Sequence, residues 1–248
     1  MKILVCISNV PDTTSKINFK DNNTAFDTAG VQFVINPNDE FGLTRAMWFK
    51  EKQGASVAVV TVGDASVEPT LRKALAIGAD EAYRIDATPT DGFFVANELA
   101  AMVKEIGFDL VIAGRESIDY NGGMVPGFLA NALDYEYVTN CISLEVEGDQ
   151  ATAVREIDGG KETLTTSLPL VIGGQKGLVE ESDLKIPNMR GIMMARQKPL
   201  HTRAASGTEA LTSEVSFSKP EAKGAVTMID AANLEELISL LHNEAKVL

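Results

Sequence analysis

Through the first half of the chain, apolar runs of strand length alternate with segments whose apolar residues recur at helical spacing. Residues 3–8 (ILVCIS), 56–62 (SVAVVTV) and 110–113 (LVIA) are almost continuously apolar, as expected of strands buried on both faces of a parallel sheet. A helix is predicted from Asn36 to about residue 53. Asn36 suits its N-cap and Pro37 its first position, Asp39 and Glu40 suit the positive end of its dipole, and Gly54 suits its close. A second helix over 67–77 presents Leu71, Ala74 and Leu75 and ends at Gly78, a short strand follows at 81–84, and a third helix starts at Asp91 and reaches about residue 106. The polar stretch 9–30 reads as loop or hairpin, with a short strand at 31–35. This order predicts an α/β fold, a parallel sheet with helices on both faces joined by right-handed crossovers.

The stretch 109–131, DLVIAGRESIDYNGGMVPGFLAN, organises the rest. Its strand ends at Gly114, and after a polar loop Gly122 and Gly123 precede Met124, Val125, Phe128 and Leu129, which share a helix face. Glycines before a helix let backbone N–H groups approach a phosphate, and the helix dipole favours the anion. The same pattern also serves as a plain strand-to-helix connection, because neither a G-x-G-x-x-G fingerprint nor a P-loop is present. Ligands of parallel sheets bind beyond the carboxyl ends of strands where the strand order reverses. Residues 6–9, 62–64 and Gly114 onward are expected there.

Beyond residue 134 the pattern changes to short strand-like runs at 138–146, 151–157, 163–167 and 170–172, split by Glu147-Gly148-Asp149 and Asp158-Gly159-Gly160 turns. They predict a β-rich, antiparallel extension. Residues 185–200 interleave Met189, Ile192, Met193 and Met194 with Arg190, Arg196 and Lys198, a pattern that suits either a core stripe or an adaptable binding surface. From 201 to 224 the chain reads as an extended linker. It leads to a helix capped by Asp230 whose Leu234, Leu237, Ile238 and Leu241 form one stripe, which must dock on its own domain or on another subunit. The expected organisation is a main unit over 1–200 and a linker with a C-terminal arm over 201–248.

Composition narrows the function classes. With 22 basic and 35 acidic residues the net charge is -13, which argues against nucleic acid or an anionic membrane as the main partner. The apolar run near the N-terminus is too short for a signal peptide, and no stretch reaches membrane-spanning length, so a cytoplasmic protein without membrane insertion is expected. Cys6 and Cys141 sit in apolar runs and read as buried free thiols. His201 and His242 form neither a zinc spacing nor a catalytic set.

Several segments together resemble the beta subunit of electron transfer flavoprotein: KILVCISNVPDT, INPNDEFGL, TLRKALAIGADEA, DLVIAGRESID, VREIDGGKETLTTSLPLVIGG, KIPNMRGIMMARQK and the terminal LLHNEAKVL. The resemblance covers nearly the whole chain. It implies a Rossmann-like domain of the adenine nucleotide-binding type that holds AMP, or a second FAD in electron-bifurcating members, paired with an alpha subunit that carries the redox-active FAD. It also implies an electron carrier subunit with no catalytic residues of its own.

Carried over by position, Cys6 and Val62 lie beside the adenine, and Asn36 and Asp39 belong to the helix start that borders the nucleotide. Gly114, Arg115, Asn121, Gly122, Gly123, Met124 and Val125 belong to the loop around the phosphates. Many relatives carry Asp-x-Asp-Thr-x-Gln-Val after the Ile-Asp pair. Here Ile118-Asp119 is followed by Tyr120-Asn121-Gly122-Gly123-Met124-Val125, so a Thr hydroxyl and a Gln amide are missing. Met189, Ile192 and Met193 match the loop that docks acyl-CoA or other flavin dehydrogenases, and Leu234, Leu237, Ile238 and Leu241 match an arm that reaches the alpha subunit. A different class on the same fold, an ATP-dependent adenylating or pyrophosphatase-type enzyme, would need a Ser-Gly-Gly-like grip after the first strand, where Ser8-Asn9-Val10-Pro11 stands. A nucleotide-sensing protein would be a homodimer without flavin.

Overall fold

The computed structural model describes residues 1–248. It begins with β1 (Lys2–Cys6), which is followed by β2 (Asn9–Pro11), β3 (Phe19–Lys20), β4 (Ala25–Phe26) and β5 (Phe33–Ile35). The predicted alternation then holds: α1 (Pro37–Gln53), β6 (Ser56–Val62), α2 (Glu68–Ile77), β7 (Glu81–Asp86), α3 (Gly92–Ile106), β8 (Leu110–Gly114) and α4 (Val125–Leu133). The second half contains β9 (Glu136–Glu147), β10 (Gln150–Ile157), β11 (Gly160–Ser167), β12 (Leu170–Gly174), α5 (Met189–Ala195) and β13 (Leu200–Ala204). The chain ends with α6 (Leu234–Ser239), which runs into a π-helical turn at Leu240–Glu244.

The main sheet has the order β11-β10-β9-β12-β8-β1-β6-β7-β13. Every pair from β9 to β13 is parallel, and the hairpin β10-β11 adds antiparallel strands at one edge. The fold is therefore the Rossmann-like α/β sheet expected, with one refinement. The early part of β9 pairs in parallel with β12, and its later part pairs antiparallel with β10, so one long strand serves both the parallel sheet and the extension.

Alternate strand residues feed two apolar layers. Ile3, Val5, Leu110 and Ile112 pack with residues of α1 and α2, and Leu4, Cys6, Val111 and Ala113 pack with α3 and α4. Local signals set the helix ends. Gly54 closes α1 in the left-handed conformation, its N–H reaching Lys50 O, and Asp91 caps α3 by accepting from Phe94 N at 2.7 Å. From β1 the chain moves through α1 to β6 and β7, then returns through α3 to β8 on the other side of β1. The strand order reverses between β1 and β8, and their carboxyl ends diverge there.

Three sequence expectations change. Asn36 sits at the N-cap of α1 but makes no side-chain cap bond, because its amide is spent elsewhere. The last helix is capped by Asn233, whose Oδ1 accepts from Glu236 N, and not by Asp230, which accepts from Ala232 N one turn earlier. Residues expected to open the linker are instead the edge strand β13, paired with β7 from Leu200↔Ala82 to Ala204↔Asp86. After β13 the chain lies along α3: Ser206 and Thr208 donate to the buried Glu98, and Leu211 N and Thr212 N donate to Asp91. Phe217 then stacks on Phe19 with centroids 4.9 Å apart.

Candidate functional site

Asp39 ties the two diverging strand ends together. Its Oδ2 accepts from Ser8 N and its Oδ1 from Gly114 N, each at 2.7 Å, so one carboxylate from the first turn of α1 bridges the ends of β1 and β8. Asn36, fully buried, fixes the loop that follows: its Nδ2 donates to Glu116 O at 2.9 Å and its Oδ1 accepts from Ile118 N. Asn38 donates to the same Glu116 carbonyl. Gly114 is dictated by this crossing, because an added Cβ would stand 2.8 Å from Asn38 Cβ and closer still to Asp39 Oδ1. Burial pushes the Asp39 carboxyl up to about 7, against the pull of the backbone N–H groups that bond its charged form.

Above this tie lies a cleft of about 60 Å³. Cys6, Val62, Val95, Leu99 and Val125 give it apolar walls, and Ser8, Thr61, Ser117 and Gly122 give it a polar side. Thr61 Oγ1 already donates to Ile7 O, and burial together with the nearby Asp39 pushes the Cys6 thiol far up, leaving it un-ionised. The loop over the cleft closes on itself through Ser117 N to Gly122 O at 3.2 Å. Beyond it the helical ladder of α4 starts with Phe128 N to Met124 O, and Met124 offers no side-chain cap. The amides of Gly123, Met124, Val125 and Gly127 therefore precede the ladder and have no acceptor within the chain. Apolar walls suit a planar heteroaromatic ring, and free amides at a helix start suit an anion. The residues present fit an adenine nucleotide in this sense.

Of the residues singled out from the sequence, Cys6, Asp39, Val62, Gly114, Gly122 and Val125 line the cleft. Asn36 lies behind it as the anchor of the 116–118 backbone. Arg115, Asn121, Gly123 and Met124 lie along the loop outside the lining. Arg115 is paired with Glu116, Asn121 takes a left-handed conformation (φ 48°), and Met124 is exposed and packs beside Gly92. Val95 and Leu99 also line the cleft but carry no sequence signal, because α3 reads there as an ordinary core helix and nothing local marks which end of it meets the cleft. Ser117 and Pro126 complete the rim.

A second feature lies on α5. Met189 is 77% exposed, Met193 68% and Ile192 43%, while only Ala195 of this helix is buried. The core alternative for the methionines is thus excluded. Ile186, just before Pro187, is 80% exposed and extends the same apolar tip; a single apolar residue without periodicity gave no sequence signal. In the C-terminal arm, Leu237 and Leu241 border a hollow with Thr227 and Ile229 of the same arm, and Leu234 and Ile238 are exposed. No helix is long and apolar enough to cross a membrane.

The chain is also similar to known proteins along most of its length. The family described as "Electron transfer flavoprotein domain" matches residues 23–207. "Electron transfer flavoprotein subunit beta" of Syntrophomonas wolfei is 36% identical over 232 residues, covering 93% of this chain and 90% of the relative. The Bacillus subtilis protein of the same name is 33% identical and aligned over the full length of both chains, and the human one is 33% identical over 81% of this chain and 80% of its own.

Proposed function

The chain belongs to the electron transfer flavoprotein family as a beta-type subunit, an electron carrier and not an enzyme, and on that premise we propose that it holds an adenine nucleotide in the cleft between β1 and β8. The observation that carries this reading is the apolar cleft at the strand-order switch, bordered by Gly122, Val125 and Pro126, with the free amides of the start of α4 next to them. Cys6, Val62, Val95 and Leu99 flank the ring, and the amides hold the phosphate. Asp39 and Asn36 keep the strand ends and the loop in register for both. At about 60 Å³ the cleft is below the roughly 300–1,000 Å³ of ordinary small-molecule pockets, so it must widen for a nucleotide to enter. The nucleotide is AMP, or a second FAD if the system bifurcates electrons.

The chain pairs with an alpha subunit, and bound flavin supplies the electron-transfer chemistry. Leu234, Leu237, Ile238 and Leu241 of the arm dock on that subunit. Their exposure or half-exposure on a short helix outside the main sheet supports this, since such a helix is marginal until its stripe is covered. Ile186, Met189, Ile192 and Met193 dock acyl-CoA or other flavin dehydrogenases by entering an apolar pocket. The exposed Arg190 and Arg196 beside them favour an acidic rim on the partner. The compartment is the cytoplasm.

Co-expression with the candidate alpha subunit tests the reading. A one-to-one complex whose flavin absorbance bleaches on mixing with a reduced flavin dehydrogenase is expected, with slower bleaching and unchanged flavin content in Met189→Ala. A chain that purifies alone, or a complex without flavin, would overturn it.

A further inference from the structure

The docking helix α5 is only seven residues long, too short to hold its shape unaided, yet it is clamped to α2 from both ends. Gly191 packs against the backbone of α2. An added Cβ there would overlap the Ala76 carbonyl oxygen and stand 3.3 Å from its carbon. Gly191 has no left-handed φ, so the requirement is for space and not for an unusual conformation. From α2, Arg72 Nη1 donates to Ala195 O at 2.8 Å and Lys198 O at 2.7 Å, taking up carbonyls at and beyond the end of α5. Lys198 returns the exchange, its Nζ donating to Leu75 O at 2.9 Å and Ala79 O at 2.6 Å at the end of α2. Asn188 caps the start by accepting from Gly191 N, and Ala195 is buried against the core.

We infer that Gly191 and Arg72 are positioning residues for docking. They lock α5 against α2 so that Ile186, Met189 and Met193 project in one preformed arrangement, although neither residue reaches that apolar tip. The inference rests on the docking role proposed above for the tip. Its physical basis is preorganisation: side chains on a fixed helix lose less freedom on binding than side chains on a loose loop. The Arg72 bond to Ala195 O at one end of α5 and the close approach of Gly191 to Ala76 near the other together fix the rotation of α5 about its own axis, and that rotation selects which residues face outward.

The test uses the co-expressed heterodimer and its rate of reduction by a reduced flavin dehydrogenase, followed as a function of heterodimer concentration. Arg72→Met and Gly191→Ala should each raise the half-saturating concentration by about tenfold, the worth of roughly one or two side chains ordered on binding, and leave the saturated rate and flavin content unchanged. Arg72→Lys should recover part of the loss. Amide exchange over 189–195 should quicken in the same two variants. Arg72→Met removes two hydrogen bonds but forces no atom into the α2 backbone, so it carries the test even if Gly191→Ala folds poorly. Unchanged half-saturation in Arg72→Met, alongside a clear rise in Met189→Ala, would overturn the positioning role and leave the docking reading intact. Unchanged half-saturation in both Ile186→Ala and Met189→Ala would remove the docking reading itself.

Discussion

Substituting Gly114 by alanine strikes the tie between β1 and β8 directly. The new methyl would stand 2.8 Å from Asn38 Cβ, 3.0 Å from Asn36 Nδ2 and closer still to Asp39 Oδ1. These neighbours cannot swing aside. Asp39 is held by Ser8 N and Gly114 N, and Asn36 by Glu116 O and Ile118 N. Forcing a methyl into such packing costs ~1–3 kcal/mol. Separating Gly114 N from Asp39 leaves a buried carboxylate oxygen short of a donor, which adds another ~1–3 kcal/mol. The sum, ~2–6 kcal/mol, is a large share of the roughly 5–15 kcal/mol that holds a domain folded. The midpoint of thermal unfolding should fall on the order of 10 °C. Trp48, the one tryptophan, lies on α1 together with Asp39 and reports the transition by fluorescence. Gly122→Ala is the control, since the nearest atom to its added Cβ is Ser117 Oγ at 3.9 Å. A loss in Gly114→Ala of less than ~0.5 kcal/mol, equal to that of Gly122→Ala, would refute the view that the strand ends are held rigidly.

Other consequences follow from the same geometry. Because the Asp39 carboxyl is raised to about 7, the folded state holds its proton more tightly than the unfolded chain; the stability this confers, up to ~4 kcal/mol, is fully present below about pH 4 and is lost as pH rises through about 7. Urea midpoints measured from about pH 5 to about pH 8 should fall in the wild type and stay flatter in Asp39→Asn, and equal slopes would show that Asp39 does not titrate in this range. Burial pushes both thiols up, Cys141 to about 11, so neither Cys6 nor Cys141 should react with an aromatic disulfide at neutral pH until the chain is unfolded; rapid labelling of the native protein would contradict their burial. Deleting residues 225–248 should weaken association with the alpha subunit by tenfold or more, on the order of one lost apolar anchor, as read by sedimentation; an undiminished affinity would mean that the last helix serves its own chain.

The parallel core was legible because strands covered on both faces have no polar side to show. ILVC, SVAVV and LVIAG announce themselves as runs, and Gly54 and Asp91 mark helix ends by local rules. Elements set by tertiary partners were harder to read. Leu200–Ala204 carries His201, Thr202 and Arg203 and looks like linker, yet it becomes a strand because the edge of β7 accepts it. Asn36 has every local mark of a cap, and its side chain instead serves a carbonyl 80 residues away. The methionines of α5 have a pattern that suits a core as well as a surface, and only the clamp on α2 decides which face is turned out. At the cleft, the glycines pointed to the loop, but Val95 and Leu99 come from a helix whose two ends look alike in sequence.

The most direct test of the proposed function is the nucleotide content of the purified heterodimer, released by acid and separated by chromatography. One flavin from the alpha subunit plus one further adenine nucleotide per heterodimer, AMP or FAD, is the expected result, with the second nucleotide lost in Gly114→Ala while the first is retained. A heterodimer that carries a single flavin and no other nucleotide would contradict the assignment of the β1–β8 cleft.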